Sequence, residues 1–223
     1  RDYYASRGLG DVYKRQFYGS TLNTRQYATK GYLEKLIAQV FTGRERFEPG
    51  NPQEGYSPSP QERQSWLQIS YMKEAYHTMG PKFTLGWMAE ALYSSKNFSE
   101  NYTATMMQAG EFAPTPHSKL MYNEAFRANQ YVAAGIKPIY VLNDMFQFRT
   151  EFYGFTPIFP IKKNALNKAY YGKAFSRFEY MGEVSVICHL PFGAISAYVN
   201  HYSSPKREWN VGLSIGWHLF NYR

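Results

Sequence analysis

Residues 209–219 alternate strictly. Trp209, Val211, Leu213, Ile215, Trp217 and Leu219 fall on one face, and Asn210, Gly212, Ser214, Gly216 and His218 on the other. A period of two is the side-chain repeat of a β-strand. The run is about twice the usual 5–6 residues of a strand in a soluble sandwich. It matches the roughly 9–11 residues of a tilted strand crossing a bilayer. One face is apolar and the other small and polar, as in a barrel wall between lipid and lumen. Trp209 and Trp217 stand near its ends, where amphipathic rings favour the membrane interfaces.

Other segments repeat the pattern. In 192–202, Ile195, Ala197 and Val199 oppose Ser196 and Asn200. In 175–188, Phe178, Tyr180, Val184, Val186 and Cys188 oppose Arg177, Glu179, Glu183 and Ser185. Residues 138–152 hold Ile139, Val141, Met145, Phe146 and Phe148, with Asp144, Arg149 and Glu151 among them. Residues 31–42, 64–77 and 82–93 read as three more strands; Phe83, Leu85, Trp87, Ala89 and Ala91 form the apolar face of the third. A weaker strand near 127–135 brings the expected number to about eight. Charges of both signs on an inward face suit a wet lumen; in a dry core each costs several kcal/mol unless paired. Tight turns at 79–81 and 202–207 alternate with long Gly-, Pro-, Asn- and Ser-rich stretches at 43–62, 94–125 and 153–173. Short periplasmic turns and long outer loops give a barrel this rhythm.

Composition agrees. Aromatics make up 18% of the 223 residues, with 21 Tyr and 16 Phe, yet mean hydropathy is −0.52. Aromatic girdles account for such a content; a Tyr-rich soluble β-protein is the alternative. No apolar run approaches the roughly 20 residues of a spanning helix. Insertion would therefore need a closed barrel, the one sheet that satisfies its backbone in lipid. The net charge of +8 is spread along the chain, often beside Glu, rather than gathered in the patch that nucleic acid requires. Lumen lining and loops facing lipopolysaccharide account for it, and no nucleic-acid partner is expected.

Residues 1–16, RDYYASRGLGDVYKRQ, differ in character from the rest of the chain. The run resembles translated sequencing-adapter sequence and is set aside as foreign. Without it the net charge is +6. Residues 17–223 are then expected to be a barrel fragment, with the protein continuing upstream.

Three places carry a family resemblance. Tyr27-Ala28-Thr29-Lys30-Gly31 is similar to an aromatic–Pro–x–x–Gly strand opening, with Ala28 in the Pro position. Phe126-Arg127-Ala128-Asn129 follows a long loop, where a Val-Arg-Gly-Phe tip belongs. Trp217 to Tyr222 resembles the aromatic C-terminal strand read by the outer-membrane assembly machinery. In order and motif the chain resembles the C-terminal half of the BamA/TamA-like surface-antigen barrel. Its closing run, Glu179 to Tyr222, looks most like the barrel that follows a patatin-like phospholipase domain. The resemblance implies an all-β, antiparallel transmembrane barrel of about 16 strands, of which this chain supplies the last eight or so. It implies a place in the cell outer membrane, among lipid and lipopolysaccharide. The expected partners are the assembly machinery, the missing N-terminal barrel half and an upstream domain. The implied function is to anchor, display or help export an upstream lipid acyl hydrolase. A BamA/TamA-type assembly or translocation barrel and an unrelated outer-membrane channel stay open as alternatives. Ala128 replaces the family's glycine, which bears on any insertion or secretion role tied to that tip.

No catalytic, cofactor or metal site is expected in the fragment itself. Gly212-Leu213-Ser214-Ile215-Gly216 matches G-x-S-x-G, but a nucleophile elbow needs a sharp strand-to-helix turn, and this motif lies inside a regular strand. The five histidines lack metal spacing. Cys188 is the only cysteine, and its neighbour His189 should point to the opposite face. By the resemblance, Arg127 would fold inward and lock its loop against Asp144, Glu151, Glu179 or Glu183; an exposed loop arginine is the alternative.

Overall fold

A computed structural model describes residues 10–23, 27–44, 63–191, 193–203 and 209–217. Of the described residues, 64% are strand and 7% helix. In order it forms β1 (Gly10–Ser20), β2 (Gly31–Arg44), β3 (Arg63–Thr78), β4 (Phe83–Ser94), α1 (Tyr102–Gln108), β5 (Gly110–Glu111), β6 (Arg127–Ala128), β7 (Gln130–Val141), β8 (Phe146–Pro157), β9 (Ile161–Lys163), β10 (Ala169–Tyr171), β11 (Glu179–Leu190), β12 (Gly193–Tyr202) and β13 (Trp209–Trp217). Nine strands make one antiparallel meander, β1-β2-β3-β4-β7-β8-β11-β12-β13. Two ladders, β5 with β6 and β9 with β10, decorate it. No described helix is long and apolar enough to cross a membrane.

Alternation decides which face packs. On β8, Gln147, Arg149, Glu151, Tyr153 and Phe155 are buried while Phe146, Phe148 and Phe152 are exposed. On β13, Trp209, Val211, Leu213 and Ile215 are exposed and alternate with half-buried Asn210, Gly212, Ser214 and Gly216. The outward side of each late strand is therefore apolar, and the inward side mixes polar residues with buried Tyr131, Tyr153, Phe155, Met181, Ile187 and Tyr202. Cys188 and His189 point to opposite faces, as their adjacency requires; His189 meets the Tyr27 ring edge-on, 6.5 Å away, inside.

The sheet curls. Tyr27, in the connection between β1 and β2, shares a 2.8 Å hydrogen bond with Ser196 on β12. In a flat sheet, six strand spacings put β2 about 29 Å from β12. Residues 27–31, the two side chains and the bond between them span at most about 26 Å. The strands are also staggered. Directly paired residues run Tyr32, Ala75, Trp87, Ile136, Phe152, Gly182, His201, Trp209. Tyr32 lies at the end of β2 next to the 21–30 connection, whereas Trp209 lies at the opposite end of β13. The shift is about one residue per strand, a tilt of about 35° at usual β spacings.

Two boundaries differ from those the sequence suggests. The expected strand 138–152 is two strands, because Leu142–Met145 is a turn. Asn143 Oδ1 accepts from the backbone N–H of Met145 and Phe146 at 3.0 and 2.8 Å, so a short polar side chain reverses the chain within an apolar run. The long stretch expected from 153 accordingly starts after Pro157. Residues 10–16 continue β1 and pair with 37–43. Their backbone is thus in the ladder, while side chains 12–16 stay exposed on both faces, with Arg15 on the outward side opposite Ala38. Residues 1–9 and 218–223 lie outside the described residues.

Candidate functional site

The long connection between β4 and β7 folds onto the inner face and fills it. Asn101 caps α1 by accepting from Ala104 N–H at 2.7 Å. Beyond the helix the chain runs β5, two 3-10 turns (Ser118–Leu120 and Glu124–Phe126) and β6. Phe112 and Phe126, each 1% exposed, are its plugs. The Phe112 ring lies 6.2 Å from Tyr131, 6.0 Å from Tyr153 and 5.9 Å from Phe155. Phe126 meets Phe155 at 5.6 Å and Tyr202 at 6.0 Å. These rings belong to β7, β8 and β12, so one loop bridges half of the sheet.

Arginines pin that loop. Arg127 is half-buried within its own loop, and its ionic partner is Glu111, 2.5 Å away across the β5–β6 ladder. The same guanidinium donates to the carbonyls of Met107 and Ala109 at 3.1 and 3.3 Å and covers the Tyr122 ring at 4.8 Å. Burial pushes the Glu111 carboxyl up, and Arg127 pulls it part of the way back. The four acids expected for Arg127 sit elsewhere. Asp144 is exposed in the β7–β8 turn. Glu151 pairs with Arg149, and Glu179 with Arg177 at 2.8 Å. Glu183 lies directly opposite Glu151 and Asn200 in the ladders. The correction has a physical reason: a two-residue ladder places Glu111 beside Arg127, nearer than any strand carboxylate. Glu179 takes part in a second clasp, because Arg177 also donates to Ala125 O in the loop at 2.7 Å.

Beneath the loop, toward the short-connection end, lies a buried ionic network. Arg149 and Glu151 are ion-paired, with side chains 4% and 8% exposed. Arg149 also donates to Ala28 O at 3.0 Å and to Tyr76 Oη at 2.8 Å. Tyr153 Oη donates to the second Glu151 oxygen at 2.6 Å. Lys137 pairs with Glu74 at 3.0 Å, and its ammonium lies 5.9 and 5.8 Å from the Tyr76 and Tyr153 rings. Removing one member of such a buried pair costs about 3–5 kcal/mol, since its partner is left charged and dry. The network joins β3, β7 and β8 to the β1–β2 connection. Alternation in the sequence reveals the inward charges but not their pairing, which is set by strands far apart in the chain.

The strand-opening segment Tyr27 to Gly31 is part of this floor. Tyr27 and Ala28 are buried, and burial raises the Tyr27 phenol above its ordinary range. Gly31 has φ +93°, and a Cβ there would stand 2.2 Å from Thr21 O. Only glycine fits that turn into β2. Elsewhere on the inner face, Asn200 Nδ2 and Tyr202 Oη approach His117 Nδ1 at 2.8 and 3.1 Å, which tethers the 3-10 turn to β12.

Ser214 lies mid-strand in β13, opposite Ser196, with no turn or helix beside it. The arrangement gives it no elbow geometry. Among the described residues no three His, Cys, Asp or Glu side chains gather in a metal-holding group. Compared with known protein families, with curated proteins and with solved structures, the chain has no match.

Proposed function

We propose that this chain is the wall of an outer-membrane β-barrel whose interior is plugged by its own connection 95–129, and that it acts as a membrane anchor. The observation that carries the reading is the inverted facing of the strands. Val132, Ile136, Phe148, Phe152, Val184, Val186, Ile195, Val199, Leu213 and Ile215 are exposed, while the buried alternating positions include Lys137, Arg149, Glu151, Glu183, Ser185, Ser196 and Asn200. Exposed apolar surface on that scale asks for a non-aqueous cover. The tilt of about 35° falls in the range of barrel strands, and the curl has the sense that closure needs. Short connections at 79–82, 142–145 and 191–192 share one end, and the long ones at 95–129 and 158–178 the other.

A filled interior favours an anchor over an open channel. The resemblance extends the proposal to what is anchored, an upstream patatin-like acyl hydrolase that the wall displays or helps to export. An assembly or translocation barrel of the BamA/TamA type is the second reading on the same resemblance, and flanking coding sequence separates the two.

Leu213, 76% exposed, tests the wall itself. Facing lipid near the midplane, Leu213→Arg costs about 2–4 kcal/mol of folding free energy, and Leu213→Phe is near neutral. Facing water, both changes stay within about 0.5 kcal/mol. Denaturant unfolding of the chain in phospholipid vesicles measures the difference. Equal tolerance of Arg and Phe overturns the reading.

A further inference from the structure

We propose that the connection 158–178 is a docking surface for anionic phospholipid headgroups, those of net negative charge, at the long-loop rim. The proposal rests on the membrane reading above and names the lipid class that this rim selects.

The segment carries Lys162, Lys163, Lys168, Lys173 and Arg177 and no Asp or Glu. Arg177 is taken by Glu179 and Ala125 O. The four lysines are exposed, and among the described residues no carboxylate pairs with them. Unneutralised positive charge on one short surface attracts anions of complementary kind.

Large apolar side chains are exposed between these cations. Leu166 is 79% exposed, Phe175 62% and Phe178 65%. Their display is built rather than loose. Asn164 Oδ1 accepts from the N–H of Leu166 and Lys168, both at 2.9 Å, and sets the tip between β9 and β10. Gly172 N–H donates to Pro160 O at 2.7 Å, and Phe175 N–H to Ile158 O at 2.9 Å. Phe175 is held at φ +52°, a conformation unusual for a bulky residue, with its ring outward. An exposed aromatic kept in a strained backbone fits a surface that something covers.

The position says what covers it. Phe178 lies over Gly154 on the outer face of the wall, where an added Cβ would meet its ring at 3.0 Å. Next to it runs a row of outward rings. Phe152 stacks on Tyr180 at 6.5 Å, Tyr180 on His201 at 5.8 Å, and His201 meets Trp209 at 4.6 Å. Amphipathic rings mark the interface between acyl chains and headgroups. Lys173 lies five residues before Phe178, and the four lysines belong to the connection that leaves β8 and enters β11 at the long-loop end. Rings in the interface and ammonium groups among the phosphates make one continuous lipid-binding surface.

The test places the full chain in phosphatidylcholine bilayers with a trace of spin-labelled phosphatidylglycerol or spin-labelled phosphatidylcholine. The motionally restricted fraction of each label is compared. The expected result is a preference of about threefold or more for the anionic lipid, abolished in 1 M salt. It is also abolished in a Lys162→Gln, Lys163→Gln, Lys168→Gln, Lys173→Gln variant that keeps the unaltered chain's gel migration. Equal restriction of the two lipids, or a preference that the variant retains, overturns the proposal and leaves the membrane reading standing. No restricted fraction for either lipid overturns both.

Discussion

Three tyrosines on the inner face each lie across a glycine on the neighbouring strand. Tyr76 faces Gly86, Tyr153 faces Gly135 and Tyr198 faces Gly212, all directly opposite in register. An added Cβ would meet the tyrosine at 2.6, 2.2 and 2.4 Å respectively. A ring laid over a missing side chain closes the gap that glycine leaves in a strand and frees room above it for the loop. At Gly135 the second contact is Phe152 O, 2.7 Å away and part of the backbone, so rotation of Tyr153 alone does not relieve it. Gly135→Ala is therefore expected to destabilise the fold by about 1–3 kcal/mol. Gly80→Ala, with nothing within 4 Å, is expected to be neutral. Denaturant unfolding followed by Trp fluorescence compares them, and equal midpoints would reject the packing argument. Ser214 belongs to this scale as well. Its motif has the spacing of a lipase elbow, but the flanking Gly212 and Gly216 serve the inner face of a regular strand.

At the scale of the element, the connection 95–129 has little stability of its own. An α-helix of seven residues is too short to form unaided. Met106 and Ala109 hold it against Ile161, the Arg127–Glu111 pair ties its two halves together, and Arg177 fastens its far end through Ala125 O. Phe112 and Phe126 supply most of the inner apolar contact, at about 3–5 kcal/mol for each ring truncated to Ala. Removing both should release the loop while leaving the nine-stranded ladder intact. In planar bilayers the unaltered chain is expected to be silent, and Phe112→Ala with Phe126→Ala to pass ions. A double variant as silent as the parent would show that the interior is blocked by something other than this loop.

At the scale of the molecule, the edges decide. Among the described residues β1 pairs only with β2, and β13 only with β12. Each outer edge is a row of unpaired N–H and C=O groups, which in lipid cost several kcal/mol apiece and in water invite association. Refolded by itself into detergent, the chain is expected to satisfy them by joining edges between copies, and to migrate unheated as assemblies larger than one chain. A heat-modifiable, protease-resistant monomer would show instead that β1 and β13 meet and that the wall closes with nine strands.

Much of the wall was legible in the sequence because a period of two is local. Leu213 and Ser214 differ in face whatever the rest of the chain does, so strand facing along 82–93, 175–188, 192–202 and 209–219 could be read residue by residue. The tilt was not legible, because register is a relation between strands. Nor was the turn at Asn143-Asp144, two polar residues set between Leu142 and Met145 in an otherwise apolar run. Inward charges announced themselves on β8 and β11, yet their partners did not. Arg149 meets Ala28 O across 121 positions, and Tyr27 meets Ser196 across 169. Alternation thus determined which side of each strand is apolar. Only the tertiary structure decided that the polar side of β7, β8, β11 and β12 is buried, because that burial depends on a distant loop folding back, with Arg127 held by Glu111 in the loop's own short ladder.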